Sequence, residues 1–437
     1  MQNVKGTYDF FGKRQAVRKQ AQSTLEQVFE LYDFDGMDST ILNELDLLTS
    51  KYAGGEEILK EMYRLTDQGE RRLGLRYDLT IPFAKVVALN PGIELPLRRY
   101  EIGKVFRDGP VKKGRLREFL QCDADVVGIA GPEAEAELMQ LAAEVFRRLD
   151  LPVVLRWNNR RFMGEWLKAL GVPAGDALSV MLTLDKVEKI GPDSAARELL
   201  DKGIVPDAVR SILDLLGDDG FTFEKAADVC GLGETPGMLE VRSLQSLIRE
   251  LGLEQICRFD PFLSRGLSFY TGTVYEIFDA SNAFTSSLGG GGRYDAIIGQ
   301  LIGREDLAYP TVGISFGMES IIELLEARRI KTPDASAIVL PIGDVSGPAL
   351  RTAQALRAAG IRTSLGGSGR KLKKALAAAS ARGIRYAVLI GEDEAALGQV
   401  RIKDMERQME NSLPLEEAAA YIRAGIENAE SPASANI

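Results

Sequence analysis

The sequence predicts a mixed α/β chain of the α+β kind: a large antiparallel sheet with an all-helical insertion, followed by a second, smaller α/β domain. Three observations predict it. Two long strand-like runs, Leu97–Arg107 and Arg115–Val127, flank a loop holding the turn formers Gly109-Pro110 and Gly114, which reads as an antiparallel hairpin. Residues 172–250 repeat apolar side chains at helical spacing with little strand character. Beyond residue 335, short apolar strands alternate with helices, the pattern of a small domain with a largely parallel sheet.

Taken in order, residues 13–32 read as an amphipathic helix, with Val17, Leu25, Val28, Phe29 and Leu31 recurring among Gln, Lys and Glu. The hairpin follows, its tip made basic by Lys112 and Lys113. Glu133–Leu149 reads as a helix and Val153–Arg156 as a short strand. Within the insertion the helical runs are Ala195–Lys202, Pro206–Leu216 and Met238–Leu251. Strand periodicity returns at Ile256–Phe259, Thr273–Phe278 and Thr311–Ser315, while the glycine run Gly289–Gly292 reads either as backbone that approaches a ligand closely or, the commoner meaning, as only a flexible loop. Met318–Arg329 is a helix. Thr332-Pro333-Asp334 then reads as a boundary between a domain of residues 1–331 and one of 335–427. The second domain has strands at Ala337–Ile342, Ile361–Leu365, Tyr386–Ile390 and Gln399–Asp404, and helices at Pro348–Ala359, Arg370–Ala381 and Leu415–Ile426. Residues 428–437, small and polar, read as a disordered tail.

At 437 residues the chain exceeds one typical domain. With 54 Lys+Arg against 63 Asp+Glu the net charge is −9, so any RNA contact has to come from a local patch. The 3 cysteines, Cys122, Cys230 and Cys257, lack a CxxC spacing, which excludes a disulfide framework or a thiolate zinc site. No run reaches membrane-spanning length and no signal-peptide core appears, so cytoplasmic residence is the expectation. The histidine count is 0, which rules out Ser-His-Asp hydrolysis, Cys-His chemistry and HExxH zinc sites. Chemistry has to run on carboxylates, guanidinium groups, hydroxyls and bound metal.

Alternation along the second hairpin strand puts Arg117, Phe119, Gln121, Asp123 and Asp125 on one face, and Leu116, Glu118, Leu120, Cys122, Ala124 and Val126 on the other, mostly apolar face. A solvated sheet face accounts for this pattern about as well as a ligand site does. Arg107 on the partner strand tips the balance: an arginine, a phenylalanine, a glutamine and an aspartate on one face suit a phosphate, a stacked base and a small polar ligand. Asp78 and Thr80 share parity and could add a carboxylate for an amino group and a hydroxyl. The segment Arg265–Gly272 sets a guanidinium at a glycine turn with Tyr270 close by. Neither a Walker A nor a Rossmann glycine pattern is present. In the last domain Arg370, Lys371, Lys373 and Lys374, joined by Arg382 and Arg385, form either a solvated charged face or an RNA-backbone contact.

Long collinear segments carry a resemblance over almost the whole chain: Lys5-Gly6-Thr7-Tyr8-Asp9, LRYDLTIPFAKVVALN at 75–90, IGKVFRDGPVKKGRLREFLQCDADVVG at 102–128, LSRGLSFYTGTVYE at 263–276, GGGRYD at 290–295, VGISFGMESI at 312–321, and SGRKLKKAL with RYAVLIGEDE in the last domain. They resemble the histidyl-tRNA synthetases, a branch of the class II aminoacyl-tRNA synthetases, above all their eukaryotic- and archaeal-like form, or a divergent paralog of them. The resemblance implies a class II catalytic domain, an anticodon-binding C-terminal domain, a homodimer, and an enzyme that activates histidine with ATP and Mg²⁺ and transfers it to tRNA(His).

By motif, the same resemblance implies that Arg107 grips the α-phosphate and the amino-acid carboxylate, Phe119 stacks on adenine, Arg115 reaches the outer phosphates, and Arg265 supplies positive charge at the α-phosphate. Asp78, Thr80, Gln121, Asp125 and Tyr270 match the histidine-binding set, with Asp125 and Tyr270 taking the two ring nitrogens. Lys112 and Lys113 would approach the tRNA acceptor end. The chain departs from the family pattern at Thr40 (a proline in motif 1), Gly109 (an acidic adenine reader in motif 2), Ser320 (an arginine in motif 3), and Ser268 and Phe269 (Asp and Tyr). These departures keep a second reading open, a non-catalytic histidine sensor resembling the regulatory subunit of ATP phosphoribosyltransferase.

Overall fold

The structure is a computed structural model that describes residues 1–49, 59–111, 114–216, 222–265, 269–304, 306–307, 309–328, 336–367 and 371–430. The basic tip Lys112–Lys113, Ser268, the boundary Thr332-Pro333-Asp334, Arg370 and the tail beyond residue 430 lie outside the described residues. The chain divides into two compact units, Met1–Ile330 and Lys331–Ile437.

The first unit is organised by an eight-stranded sheet in the order Asp35–Gly36, Leu97–Phe106, Glu118–Val127, Thr311–Gly317, Gly289–Arg293, Thr273–Asp279, Val153–Asn159 and Cys257–Phe259. Neighbours are antiparallel through the centre and parallel at the two outer pairs. The second hairpin strand starts three residues later than its pattern suggests. Arg107 N–H still bonds the Arg117 carbonyl at 2.8 Å, but Arg117 N–H turns away to the Gly6 carbonyl at 2.9 Å, so an N-terminal segment replaces the ladder there.

The apolar side of that strand is buried. Cys122, Ala124 and Val126 join one core with the helices Gly12–Leu31, Glu133–Arg148 and Met318–Ala327. The first helix buries Val17, Ala21, Leu25, Val28 and Phe29, the three-and-four spacing of one helical face, each large side chain contributing about 1.5–3 kcal/mol. Leu31, at its last position, is instead exposed. On the front of the sheet a second cluster gathers Leu45, Leu48, Tyr77, Ile81, Phe83, Val87, Tyr294 and Ile297 around the helix Thr80–Leu89. A three-stranded sheet, Leu42–Glu44, Arg72–Leu75 and Arg64–Thr66, lies in this unit and has no alternation to announce it.

The glycine run overturns its reading as a flexible loop. Gly289–Arg293 is a fully buried strand paired on both sides. A methyl group at Gly290 would stand 2.2 Å from Arg265 Nη1 and 2.6 Å from the Tyr275 carbonyl, so strand propensity yields here to close approach. The insertion forms the helices Ala177–Leu184, Val187–Ile190, Pro192–Asp201, Pro206–Leu216, Phe223–Cys230 and Pro236–Glu250. Phe223 ties it to the sheet edge, its ring 5.2 Å from Phe259 and 6.5 Å from Trp157.

The second unit is less parallel than its pattern suggests. Ala337–Pro341 runs parallel to Thr363–Leu365 and Tyr386–Ile390, but Gln399–Asp404 and Met409–Pro414 continue the sheet antiparallel. The last strand is mostly exposed and polar, and the turn before it is built by Asp404 Oδ1 accepting from Glu406 and Arg407 N–H at 3.0 Å each. Arg385 leaves the proposed basic patch: it pairs with Asp404 at 3.1 Å and donates to the Gly425 carbonyl at 2.8 Å. Among the described residues no helix is long and apolar enough to cross a membrane.

Candidate active site

A cavity of about 270 Å³ opens on the front of the large sheet. Its floor is Phe119, Gln121 and Asp123 from the hairpin, Gly289 and Gly290 from the glycine strand, Glu276, and Ser315 and Gly317. Its walls are Asp78 and Thr80 at the start of the helix Thr80–Leu89, Arg107 at the end of the first hairpin strand, and Arg265, Phe269 and Tyr270 from a loop. Asp78, Thr80, Arg107, Phe119, Gln121, Arg265 and Tyr270, scattered through nearly 200 positions of sequence, therefore share one cavity.

Asp78 is fixed by accepting from Ile81 N–H at 3.1 Å, satisfying one of the free donors of the helix's first turn. Burial pushes its carboxyl up to about 6, against the pull of that N–H and of Arg107. Arg107 Nε donates to the Tyr77 carbonyl at 3.0 Å, and its guanidinium lies 5.1 Å from the centre of the Phe119 ring. Desolvation lowers the Arg107 pKa, and Asp78 opposes that shift. Arg265 takes a left-handed backbone conformation (φ +54°), which for a side-chain-bearing residue costs on the order of 1–3 kcal/mol. Arg160 holds it there, donating from Nη2 to the carbonyls of Arg265 at 2.6 Å and Ser264 at 2.9 Å. The Arg265 guanidinium thus reaches Glu276 at 3.5 Å and lies 6.0 Å from the centre of the Tyr270 ring.

Two expected residues lie elsewhere. Asp125 is absent from the cavity lining: Oδ2 sits 2.6 Å from Arg99 Nη2, and Oδ1 accepts a short hydrogen bond from the Tyr294 hydroxyl. One pleat nearer the hairpin tip, Asp123 lines the cavity in its place. Burial first, and the Asp125 charge next, push the Asp123 carboxyl up to about 7. Arg115 also stands outside the lining, paired with Glu61 at 2.6 Å and 2.8 Å. That pairing bears on Gly109: a methyl group there would fall 2.6 Å from Glu61 Oε1, so a carboxylate from another segment occupies the space a side chain at 109 would take. Asp108 N–H anchors the Glu61 carbonyl at 2.6 Å.

Sequence reading left Asp123 out of the candidate site, and missed Glu276, Ser287 and Ser315 altogether. Asp123 already shared the right face. Ser315 is brought opposite it by the pairing of Thr311–Gly317 with the hairpin, a non-local register that no local pattern carries. Among the described residues no group of three or more acidic, cysteine or histidine side chains is placed to hold a metal ion.

An antiparallel sheet with carboxylates at one end of a cavity and an arginine–phenylalanine pair at the other, joined in one chain to a small α/β unit, is the arrangement of a class II aminoacyl-tRNA synthetase, and the family matches place the chain in that class. Residues 9–321 match the family Histidyl-tRNA synthetase, and residues 336–425 match the anticodon binding domain. The chain is 44% identical over 430 residues to histidine–tRNA ligase 1 of Bacillus cereus, covering 97% of this chain and 100% of that one. It is 45% identical over 422 residues to histidine–tRNA ligase 2 of Shouchella clausii, covering 94% and 98%. Its fold matches the solved histidyl-tRNA synthetase of Nostoc sp. PCC 7120 with a TM-score of 0.85 at 28% identity, covering 97% and 99%. The chain belongs to the histidyl-tRNA synthetase family.

Proposed function

We propose that this cavity performs both steps of a histidine–tRNA ligase. A histidine carboxylate oxygen attacks the α-phosphorus of ATP, an O–P bond forms as the bond to pyrophosphate breaks, and the histidyl group then passes to the 3′ end of tRNA(His). The observation that carries the reading is the cavity's polarity: Asp78 and Asp123 at one end, Arg107, Arg265 and the Phe119 ring at the other. The attacking carboxylate is already ionised at neutral pH, so the reaction needs positioning and charge stabilisation rather than a protein imidazole, in keeping with 0 histidines.

In this reading Asp78 takes the α-ammonium group, with Thr80 and Gln121 beside it. Arg107 and Arg265 bracket the carboxylate and the α-phosphate, Phe119 stacks the base, and Arg115 turns from Glu61 to the outer phosphates. Mg²⁺ accompanies the triphosphate. Besides Asp78 and Asp123, which this reading gives to the amino acid, the cavity holds a third carboxylate, Glu276, which fits an ion that keeps most of its water and takes its other ligands from phosphates. The second unit holds the anticodon stem, and Lys371, Lys373 and Lys374 supply backbone contacts. Exposed Ile41, Leu42 and Leu65 support a homodimer, and light scattering tests it. The reading places the enzyme in the cytoplasm.

Histidine-dependent exchange of pyrophosphate into ATP, followed by charging of a tRNA(His) transcript, tests the assignment. Exchange with histidine alone among the amino acids is the expected result. Histidine binding without exchange would instead leave a histidine sensor, a reading the near full-length ligase relatives do not favour.

A further inference from the structure

We propose that Asp185, a residue of the helical insertion that lies outside the cavity, is a positioning residue for Arg265: its carboxylate holds the backbone that carries the Arg265 guanidinium into the cavity. The inference rests on the ligase reading, which gives Arg265 to the reacting phosphate, and names the part of the fold that aims it.

Asp185 follows the insertion helix Ala177–Leu184, which is anchored by buried Val180, Met181, Thr183 and Leu184. Its Oδ1 accepts from the Ser264 N–H at 3.0 Å. Ser264 is buried, where an unpaired N–H is costly. Arg265 comes next, with the left-handed φ of +54° that a side-chain-bearing residue keeps only where its surroundings over-determine it. The body of the domain supplies donors: Asn158 Nδ2 to the Leu263 carbonyl at 2.9 Å, and the Arg160 guanidinium to the carbonyls of Ser264 and Arg265. A guanidinium cannot accept, so the Ser264 N–H has to find its partner elsewhere. The insertion supplies it in Asp185.

The charges agree with this division. Burial works against the guanidinium charge of both Arg160 and Arg265, and Asp185 is among the groups that oppose it. Asp185 itself is exposed, so replacing it empties no core. The same stretch of the insertion has a second tether, Glu188 Oε1 at 2.8 Å from Arg156 Nη1. That tether ends on the strand Val153–Asn159 and reaches the loop only at Asp260, through Arg156 at 3.4 Å. It therefore reports on docking of the insertion without touching the backbone at Ser264.

The test compares Asp185→Ala, Asp185→Asn and Glu188→Gln in the full-length chain by pyrophosphate exchange, with kcat and the KM for histidine and for ATP measured separately. Asp185→Ala is expected to lower kcat roughly tenfold with both KM values within about threefold, because a misaimed guanidinium loses more against the transition state than against bound substrates. Asp185→Asn keeps an oxygen that accepts from Ser264 and is expected to restore kcat to within about threefold of wild type. Glu188→Gln is expected to leave kcat within about twofold. In an Arg265→Ala background, Asp185→Ala is expected to cost nothing further, since it acts through the missing side chain. An unchanged kcat in Asp185→Ala, an equal loss in Asp185→Asn or Glu188→Gln, or a full further loss in the double variant overturns the proposal while wild-type exchange stands. A wild-type chain without exchange overturns the ligase reading instead, and amide hydrogen exchange then decides. Faster exchange of the 260–265 backbone in Asp185→Ala than in wild type and Asp185→Asn supports the hold on Arg265, and equal exchange in all three overturns it.

Discussion

The two ends of the cavity are built on different physical terms. At the end proposed for the amino acid, Asp78 and Asp123 are buried carboxyls whose pKa values rise to about 6 and about 7, with Asp125 behind them against Arg99 and Tyr294. At the end proposed for the nucleotide, the charged groups already have partners that a ligand could displace: Arg265 with Glu276, and Arg115 with Glu61. The first end holds charge at a cost that a cationic, hydrogen-bonding ligand relieves. The second end exchanges one anion for another. On the proposed reading, discrimination belongs to the rigid end and turnover to the exchangeable one.

The sharpest way to break this division is Arg107→Ala, which removes a donor aimed at the reacting phosphate. Pyrophosphate exchange is expected to fall by roughly 10²–10³ in kcat. Histidine binding, measured by calorimetry, is expected to weaken by a much smaller factor, about tenfold, because only one of the two arginines at the amino-acid carboxylate is lost and Asp78 remains for the ammonium group. Equal losses in both would mean that the two ends are one site.

Gly313→Ala strikes Asp125 instead. Its methyl group would fall 1.8 Å from Asp125 Oδ1, so either Asp125 or the strand has to move. Overpacking of this kind costs about 1–3 kcal/mol, which a lower melting temperature reports. The histidine KM is expected to rise while the ATP KM holds. A selective rise in the ATP KM would contradict the comparison.

The rigid end also leaves a signature in pH. A carboxyl whose pKa folding raises stabilises the folded chain fully while the unfolded chain is also protonated, below the ordinary 3.8, and that contribution is lost as pH climbs towards about 7. Asp78 acts in the same direction up to about 6. Without ligand, Asp123→Asn is therefore expected to gain melting temperature over wild type as pH rises from 4 to 7 and to hold a constant advantage above, a tenfold change in proton affinity being worth about 1.4 kcal/mol. The same advantage at pH 4.5 and pH 8 would show that Asp123 titrates normally.

Local pattern made some of this legible and not the rest. The face alternation along Glu118–Val127 and the buried spacing of Val17, Leu25, Val28 and Phe29 are properties of neighbours in sequence, and both stand in the structure. The glycine strand was illegible because what keeps it in the sheet is the space its neighbours need: Arg265 and Tyr275 crowd Gly290 from segments far along the chain. Which of Asp123 and Asp125 lines the cavity was illegible for a similar reason. Parity puts both on one face, and Tyr294 and Arg99 stand against the second. Met409–Pro414 was missed because an exposed, polar edge strand has no alternation to display.

The smallest effect tests the exchangeable end. Glu61 holds Arg115 through a half-exposed pair, and such pairs are worth about 0–1 kcal/mol. If outer phosphates take Arg115 from Glu61, then Glu61→Gln weakens the competing partner, and the ATP KM is expected to fall by up to about threefold with the histidine KM unchanged. The Asp108 N–H bond to the Glu61 carbonyl survives the substitution, so the hairpin end keeps its anchor. A rise in the ATP KM would give Glu61 the opposite role. The carboxylate over Gly109 would then be a group that ATP needs, standing where the chain has no side chain of its own to offer.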